Sequence, residues 1–208
     1  HIFRYNYNKD KFELLFDFTN LTRKSKLINS SSIFLDSKDI IWINIKDKNY
    51  LYDYSKKELT TIETELKEEV VAMTEVDENM YSMATSEHIY TVLLRGNRIK
   101  VLSMINLPPY SMINYIYYHK NSNTLIVSTP FNGIYLYNYV TNQLSNVPYK
   151  FTNIFLNKII PLMSSADEVL IATNGAGVYR LNIKTQKLTP FTNYCNNIYD
   201  TDGSCNII

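Results

Sequence analysis

The side chains able to do chemistry are scattered along this sequence, and the sets that familiar reactions require do not assemble in it. His1, His88 and His119 lie far apart, with no cysteine or carboxylate at ligand spacing, so no metal site is expected. No His-Glu-x-x-His, Gly-x-Ser-x-Gly or phosphate-cradling loop occurs. Gly175-Ala176-Gly177 has part of the spacing of a nucleotide fingerprint but no helix after it, and reads as a hairpin turn. Asp200-Thr201-Asp202-Gly203 offers calcium-type oxygens without the remaining ligands or the distal Glu, and reads as a plain turn. Paired carboxylates for glycoside hydrolysis would have to come from distant segments, and nothing singles out a pair. The expectation is a chain with no catalytic residues, no metal and no cofactor.

Binding chemistry is better represented. Tyr110 and Phe131 offer flat apolar faces on which a sugar ring stacks, while His88, Asn132 and Asn174 carry groups that hydrogen-bond hydroxyls. These five are the candidate ligand contacts. For each, a turn or packing role is the plainer alternative. Cys195 and Cys205 are the only cysteines, with nine residues between them. They pair in an oxidising compartment, closing a loop worth roughly 2–3 kcal/mol, or stand apart along an extended strand too long for a bridge.

The elements that must position these groups are announced by a repeat. Leu125 to Leu144 (LIVSTPFNGIYLYNYVTNQL) aligns without a gap on Val169 to Leu188 (VLIATNGAGVYRLNIKTQKL), a period of 44 residues. Thr129 meets Thr173, Gly133 meets Gly177, Asn138 meets Asn182 and Thr141 meets Thr185. Ala84-Thr85 lies one period before Ser128-Thr129, and Ile40 to Leu59 is a further copy whose hairpin tip is one residue shorter. Ile2 to Phe12 reads like Ile134 to Leu144, the tail of another unit. Periods of about 40–50 residues belong to β-propeller blades.

Each unit carries four short β-branched or aromatic runs separated by turn residues, none long enough for a helix. Strands are expected near Ile33–Asp36, Ile40–Ile45, Asn49–Tyr54, Val70–Thr74, Met80–Thr85, Ile113–Tyr118, Thr124–Thr129, Gly133–Tyr139 and Gln143–Val147. The second run of each unit is almost continuously apolar, as a strand covered on both faces requires; Trp42 in such a core points to packing between blades. The Gly before the third run permits a tight hairpin, and its replacement by Lys48 or Asn49 and by His88 demands another turn there. The acidic stretch Glu58 to Glu69 is assigned to an outer strand and an exposed connection. Blades are expected at about 29–66, 67–106, 107–150 and 151–192, flanked by a blade tail at 1–28 and the start of a further blade at 193–208. The two terminal halves either combine into one closing blade or belong to a larger, seven-bladed type of ring; the larger ring, with the chain an excised piece of it, is favoured.

Composition sets limits. The chain has 208 residues, 45% hydrophobic, enough for a sizeable core. A net charge of +1 gives no reason to expect a nucleic acid. The 18 Tyr suit half-buried strand faces, and the 24 Asn suit turns that visit the left-handed region. No apolar run approaches the roughly 20 residues of a membrane-spanning helix, and no signal peptide is seen.

The units resemble the two-component regulator propeller repeat, in which an Asp-x-x-Gly turn precedes Leu-Trp-Ile-Gly-Thr and a later aromatic strand ends in Tyr-Asp or Tyr-Asn. Ile41-Trp42-Ile43-Asn44-Ile45, Leu125 to Thr129 and Val169 to Thr173 occupy the Leu-Trp-Ile-Gly-Thr position, and Asp36 to Asp39 and Asp200 to Gly203 the turn before it. Only Trp42 keeps the Trp, and no matching unit keeps the Gly. The resemblance implies a periplasmic sensor part of a hybrid two-component histidine kinase and response regulator of the inner membrane, binding an oligosaccharide and controlling transcription. It implies as partners the rest of the parent propeller and the kinase, leaves a homodimer open, and places any kinase or DNA-binding activity outside this chain. The rival classes are a propeller glycosidase or lyase and a protein-binding scaffold; fold alone does not choose among them.

Blade geometry then says where a ligand would sit. Second-to-third-strand hairpins (46–48, 86–88, 130–132, 174–176) and outer-to-inner connections (108–111, 149–155) open on one face around the channel. Tyr110, Phe131, Asn132, His88 and Asn174 all fall in these loops.

Overall fold

The computed structural model describes residues 2–17, 31–45, 48–147, 156–174 and 177–191. Within them the chain is all β. β1 (Ile2–Asn6) and β2 (Lys11–Phe16) form a two-stranded sheet. A first blade follows, from β3 (Ser31–Leu35), β4 (Ile40–Ile45), β5 (Lys48–Asp53) and β6 (Glu58–Thr61). The second has β7 (Ala72–Asp77), β8 (Met80–Ala84), β9 (His88–Arg95) and β10 (Arg98–Asn106). The third has β11 (Tyr115–His119), β12 (Thr124–Thr129), β13 (Gly133–Asn138) and β14 (Gln143–Val147). The fourth has β15 (Leu156–Pro161), β16 (Glu168–Thr173), β17 (Val178–Asn182) and β18 (Lys187–Pro190). The strands of each sheet are antiparallel and follow chain order, and the inner strands β3, β7, β11 and β15 are successive neighbours. Four meanders standing side by side in this way are blades of a β-propeller, part of a ring. The expected start of a next blade at 193–208, with Cys195, Cys205 and the Asp200 turn, lies outside the described residues, as do the loop 149–155, the hairpin-tip residues 46–47 and 175–176, and all of the blade tail beyond Asp17.

The repeat's side-chain pattern becomes the packing between blades. β12 is buried along its whole length: Leu125 and Val127 face the second blade with Ala84 and Ile89, while Ile126 faces the fourth with Val169 and Ile171. Alternation at period two sends neighbours on one strand into two different cores. Trp42, fully buried, faces Tyr81, Met83, Met73 and Val92 of the second blade, whereas Ile41 and Ile43 face Ile2 of the two-stranded sheet. Each interface therefore has its own apolar cluster, and a fully buried side chain of this kind contributes about 1.5–3 kcal/mol.

Buried polar groups cross the same interfaces. Asp36 accepts hydrogen bonds from Trp42 Nε1 at 3.1 Å and from the Tyr81 hydroxyl at 2.9 Å. Its other oxygen takes the backbone N–H groups of Lys38 and Ile40. Ser32 donates to the Val70 carbonyl and Asn114 to the Leu156 carbonyl, each reaching the next blade. Tyr139 bonds with Ser82 and, at 3.3 Å, with Thr91 of the preceding blade.

The turns explain the composition. Asn79 and Asn123, with Asp39, hold positive φ between first and second strands; Asn142, Lys57 and Gln186 do so between third and fourth. The Asx residue that ends the third strand accepts from backbone N–H groups of the following turn: Asn6 from Asn8 and Lys9, Asp53 from Ser55 and Lys56, Asn138 from Val140 and Thr141, Asn182 from Thr185. That is the physical reason for the Tyr-Asp and Tyr-Asn endings. Glu58–Thr61 is an outer strand followed by irregular chain, with no helix. Two inner strands start later than expected, at Ala72 and Tyr115, because Val70 and Ile113, although buried, belong to the connections that precede them and so mimic strand residues.

Candidate functional site

Three loops meet on one face of the second and third blades. The hairpin after β8 closes with Thr85 N–H to His88 O at 2.9 Å and needs no left-handed residue. The hairpin after β12 uses Gly133 at φ +86, with Thr129 Oγ1 donating to Gly133 O at 2.9 Å; Thr173 does the same to Gly177 O at 2.6 Å in the fourth blade. Between the first two hairpins runs the connection from β10 to β11. Leu107 N–H donates to Glu87 O and Ile113 N–H to Ser86 O, fixing it on the first hairpin, and Asn132 Nδ2 reaches Ser111 Oγ at 3.4 Å from the second.

That connection presents Tyr110. Ser111 is fully buried and donates to the Pro108 carbonyl at 2.5 Å, while Tyr110 beside it holds φ +63 with 80% of its surface exposed. A bulky residue in the left-handed region is uncommon, and costs about 1–2 kcal/mol. Here it turns the ring outward rather than into the core. Phe131 is also exposed, on the hairpin whose next residue contacts Ser111.

On the second blade, sequence reasoning named His88 but not the carboxylate that holds it. Glu68, in the connection leading to β7, accepts from His88 Nδ1 at 3.0 Å and Thr85 Oγ1 at 2.7 Å on one oxygen, and from the Tyr90 hydroxyl at 2.7 Å on the other. Since a carboxylate only accepts, Nδ1 carries the proton in this contact and Nε2 of a neutral ring is left to accept. Burial pushes the Glu68 carboxyl upward, but hydrogen bonds from Tyr90, Thr85 and His88 outweigh it and hold the group below the ordinary carboxylate range. Tyr90 moves the other way, pushed up to about 12 by burial first and then by its bond to Glu68. The only signal that could have found Glu68 was its place in an outer-to-inner connection; the contact joins residues 20 apart in sequence.

The structure thus brings together the loops of His88, Tyr110, Phe131 and Asn132. Asn174 is exposed at the end of β16, on the corresponding hairpin one blade further on. Trp42, as read from its position, lies in a blade interface away from these loops. Among the described residues no group of three or more His, Cys, Asp or Glu stands close enough to hold a metal ion, and no helix is long and apolar enough to cross a membrane. Compared with protein families and with curated proteins, the chain matches none.

Proposed function

We propose that this chain is the ligand-binding part of a periplasmic sensor, belonging to a hybrid two-component histidine kinase and response regulator, and that it senses an oligosaccharide on the face carrying Tyr110, Phe131, Asn132, His88 and Asn174. The repeat's likeness to two-component regulator propellers supports the class. The observation that carries the site is Tyr110, held outward in a left-handed conformation by a buried Ser111 between two hairpins that each offer polar groups. An exposed aromatic face beside amide and imidazole hydrogen-bonding groups is the chemistry that grips a sugar ring.

Ligand binding signals only where the ligand prefers one of two states. A site built from loops of adjacent blades is suited to that, since a sugar bridging them changes how the blades sit. The test has two arms. The complete reading frame should encode a membrane span and a histidine kinase downstream. The purified chain should bind neutral oligosaccharides without cleaving them; turnover of a glycan would assign it to the enzymes instead.

A further inference from the structure

A recess opens on the opposite face, where the first-to-second and third-to-fourth strand turns emerge. It lies between the third and fourth blades, has a volume of about 420 Å³, and presents Thr141, Gln143, Ser145 and Gln186 above a floor of Leu136 and Ile183. The repeat supplies an internal comparison. The aligned positions of the first unit, Leu51, Lys56, Glu58 and Thr60, line a recess of about 210 Å³ against the second blade. Small-molecule sites occupy about 300–1,000 Å³, so the two recesses fall on opposite sides of the lower bound.

Their chemistry differs as well. In the first recess charged side chains, Asp36, Lys38, Asp53, Lys56 and Glu58, line the walls, with Lys56 on Asp53 at 2.9 Å and Lys38 on Glu78 at 3.0 Å. In the second those positions carry hydroxyls and carboxamides, and its one lysine, Lys184, is engaged by Asp167 at 2.8 Å. Asn138 is occupied as scaffold: its oxygen holds the turn, and Nδ2 donates to the Ser122 carbonyl at 3.2 Å. Gln186 is fixed by Nε2 donating to Ser145 Oγ at 2.9 Å, across the blade boundary, which leaves its carbonyl oxygen to accept.

We infer that this recess binds a neutral polyhydroxylated molecule of one or two sugar rings. Hydroxyl and carboxamide groups both donate and accept, matching ligand hydroxyls that do both. No uncompensated charge lines the recess to select an ion, and the two aliphatic side chains of the floor suit the C–H face of a ring. This site is separate from the loop face and does not depend on it.

The test titrates the whole ¹⁵N-labelled chain with maltose and with cellobiose and follows amide shifts. Saturable shifts are expected at 141–145 and 183–186. The double variant Thr141→Lys/Gln143→Glu installs the residues that the first unit carries at the same positions, so the turn tolerates it; it should weaken binding about tenfold or more with an unchanged melting curve. Ser145→Leu, filling the recess from its wall, should do likewise. Undiminished binding in both variants, or no saturable shift in the native chain with either sugar, overturns the inference. Shifts confined to residues around Tyr110, Phe131 and His88 also overturn it, while leaving the loop face standing.

Discussion

The Tyr81 hydroxyl donates to Asp36 at 2.9 Å, across the boundary between the first and second blades, and the Trp42 indole donates to the same oxygen at 3.1 Å. The two rings meet with centroids 4.5 Å apart. One turn carboxylate thereby satisfies two buried aromatic donors from two blades. Burial and then the bond to Asp36 both push the Tyr81 phenol upward, so it stays a donor at any ordinary pH.

Removing either side of this arrangement should loosen the blade boundary. Trp42→Ala should cost about 3–5 kcal/mol, the range for emptying a large aromatic site. Asp36→Ala, which strands two buried donors, should cost about 1–3 kcal/mol for each. Urea unfolding checks both. Trp42→Ala should leave sugar affinity unchanged in the protein that remains folded.

Gly177 separates backbone strain from packing. A Cβ built there meets nothing within 4 Å, yet φ is +81. Gly177→Ala should therefore cost about 1–2 kcal/mol from conformation alone, and Gly177→Asn less, because Asn tolerates the left-handed region. A pair of variants equally stable to the native chain in urea would show that this hairpin does not need the glycine.

Two groups make stability pH-dependent in separate windows. Burial holds His119 below its ordinary value of 6.5, against a smaller opposing pull from Asp167. Its neutral form is the one the fold accepts, so its contribution is complete above pH about 6.5 and is lost as pH falls through the folded value. Glu68 is also depressed, from 4.5; its contribution is present above that value and lost at more acid pH. His119→Gln should flatten the first slope in thermal melts and leave the second.

Glu68→Gln should release Tyr90. The Tyr90 phenol, now pushed up to about 12, should fall toward 10 but not reach it, because burial is the larger cause and remains. Tyrosine ring NMR across the alkaline range reads this directly; no movement would mean that Glu68 does not hold Tyr90.

Much of the fold was legible because each unit repeats the same physical solution. Thr129 and Thr173 tie their hairpins to Gly133 and Gly177 by the same bond, and Asn138 and Asn182 cap the same turn, so a gapless register in sequence is a register in space. Trp42 was placed correctly since a continuous apolar strand has no solvent face. The blade-crossing role of Asp36 and the hairpin-holding role of Glu68 were not legible. Asp36 matched a turn motif, which accounts for its backbone bonds but not for the two rings it holds. Glu68 lay in an acidic stretch read as solvated, and its partners lie 17 to 22 residues further on, in the β8–β9 hairpin and on β9 of the same blade. The opposite recess escaped as well, because Thr141, Gln143 and Gln186 look like ordinary turn residues until two blades are placed side by side.

The central claim is that the loops around Tyr110 grip a ligand. Titration calorimetry of neutral oligosaccharides into the native chain, Tyr110→Ala and Phe131→Ala decides it. Each variant should bind about fivefold or more weakly, roughly 1 kcal/mol, with little change in melting temperature, since both rings are exposed. Normal binding by both variants would contradict the account.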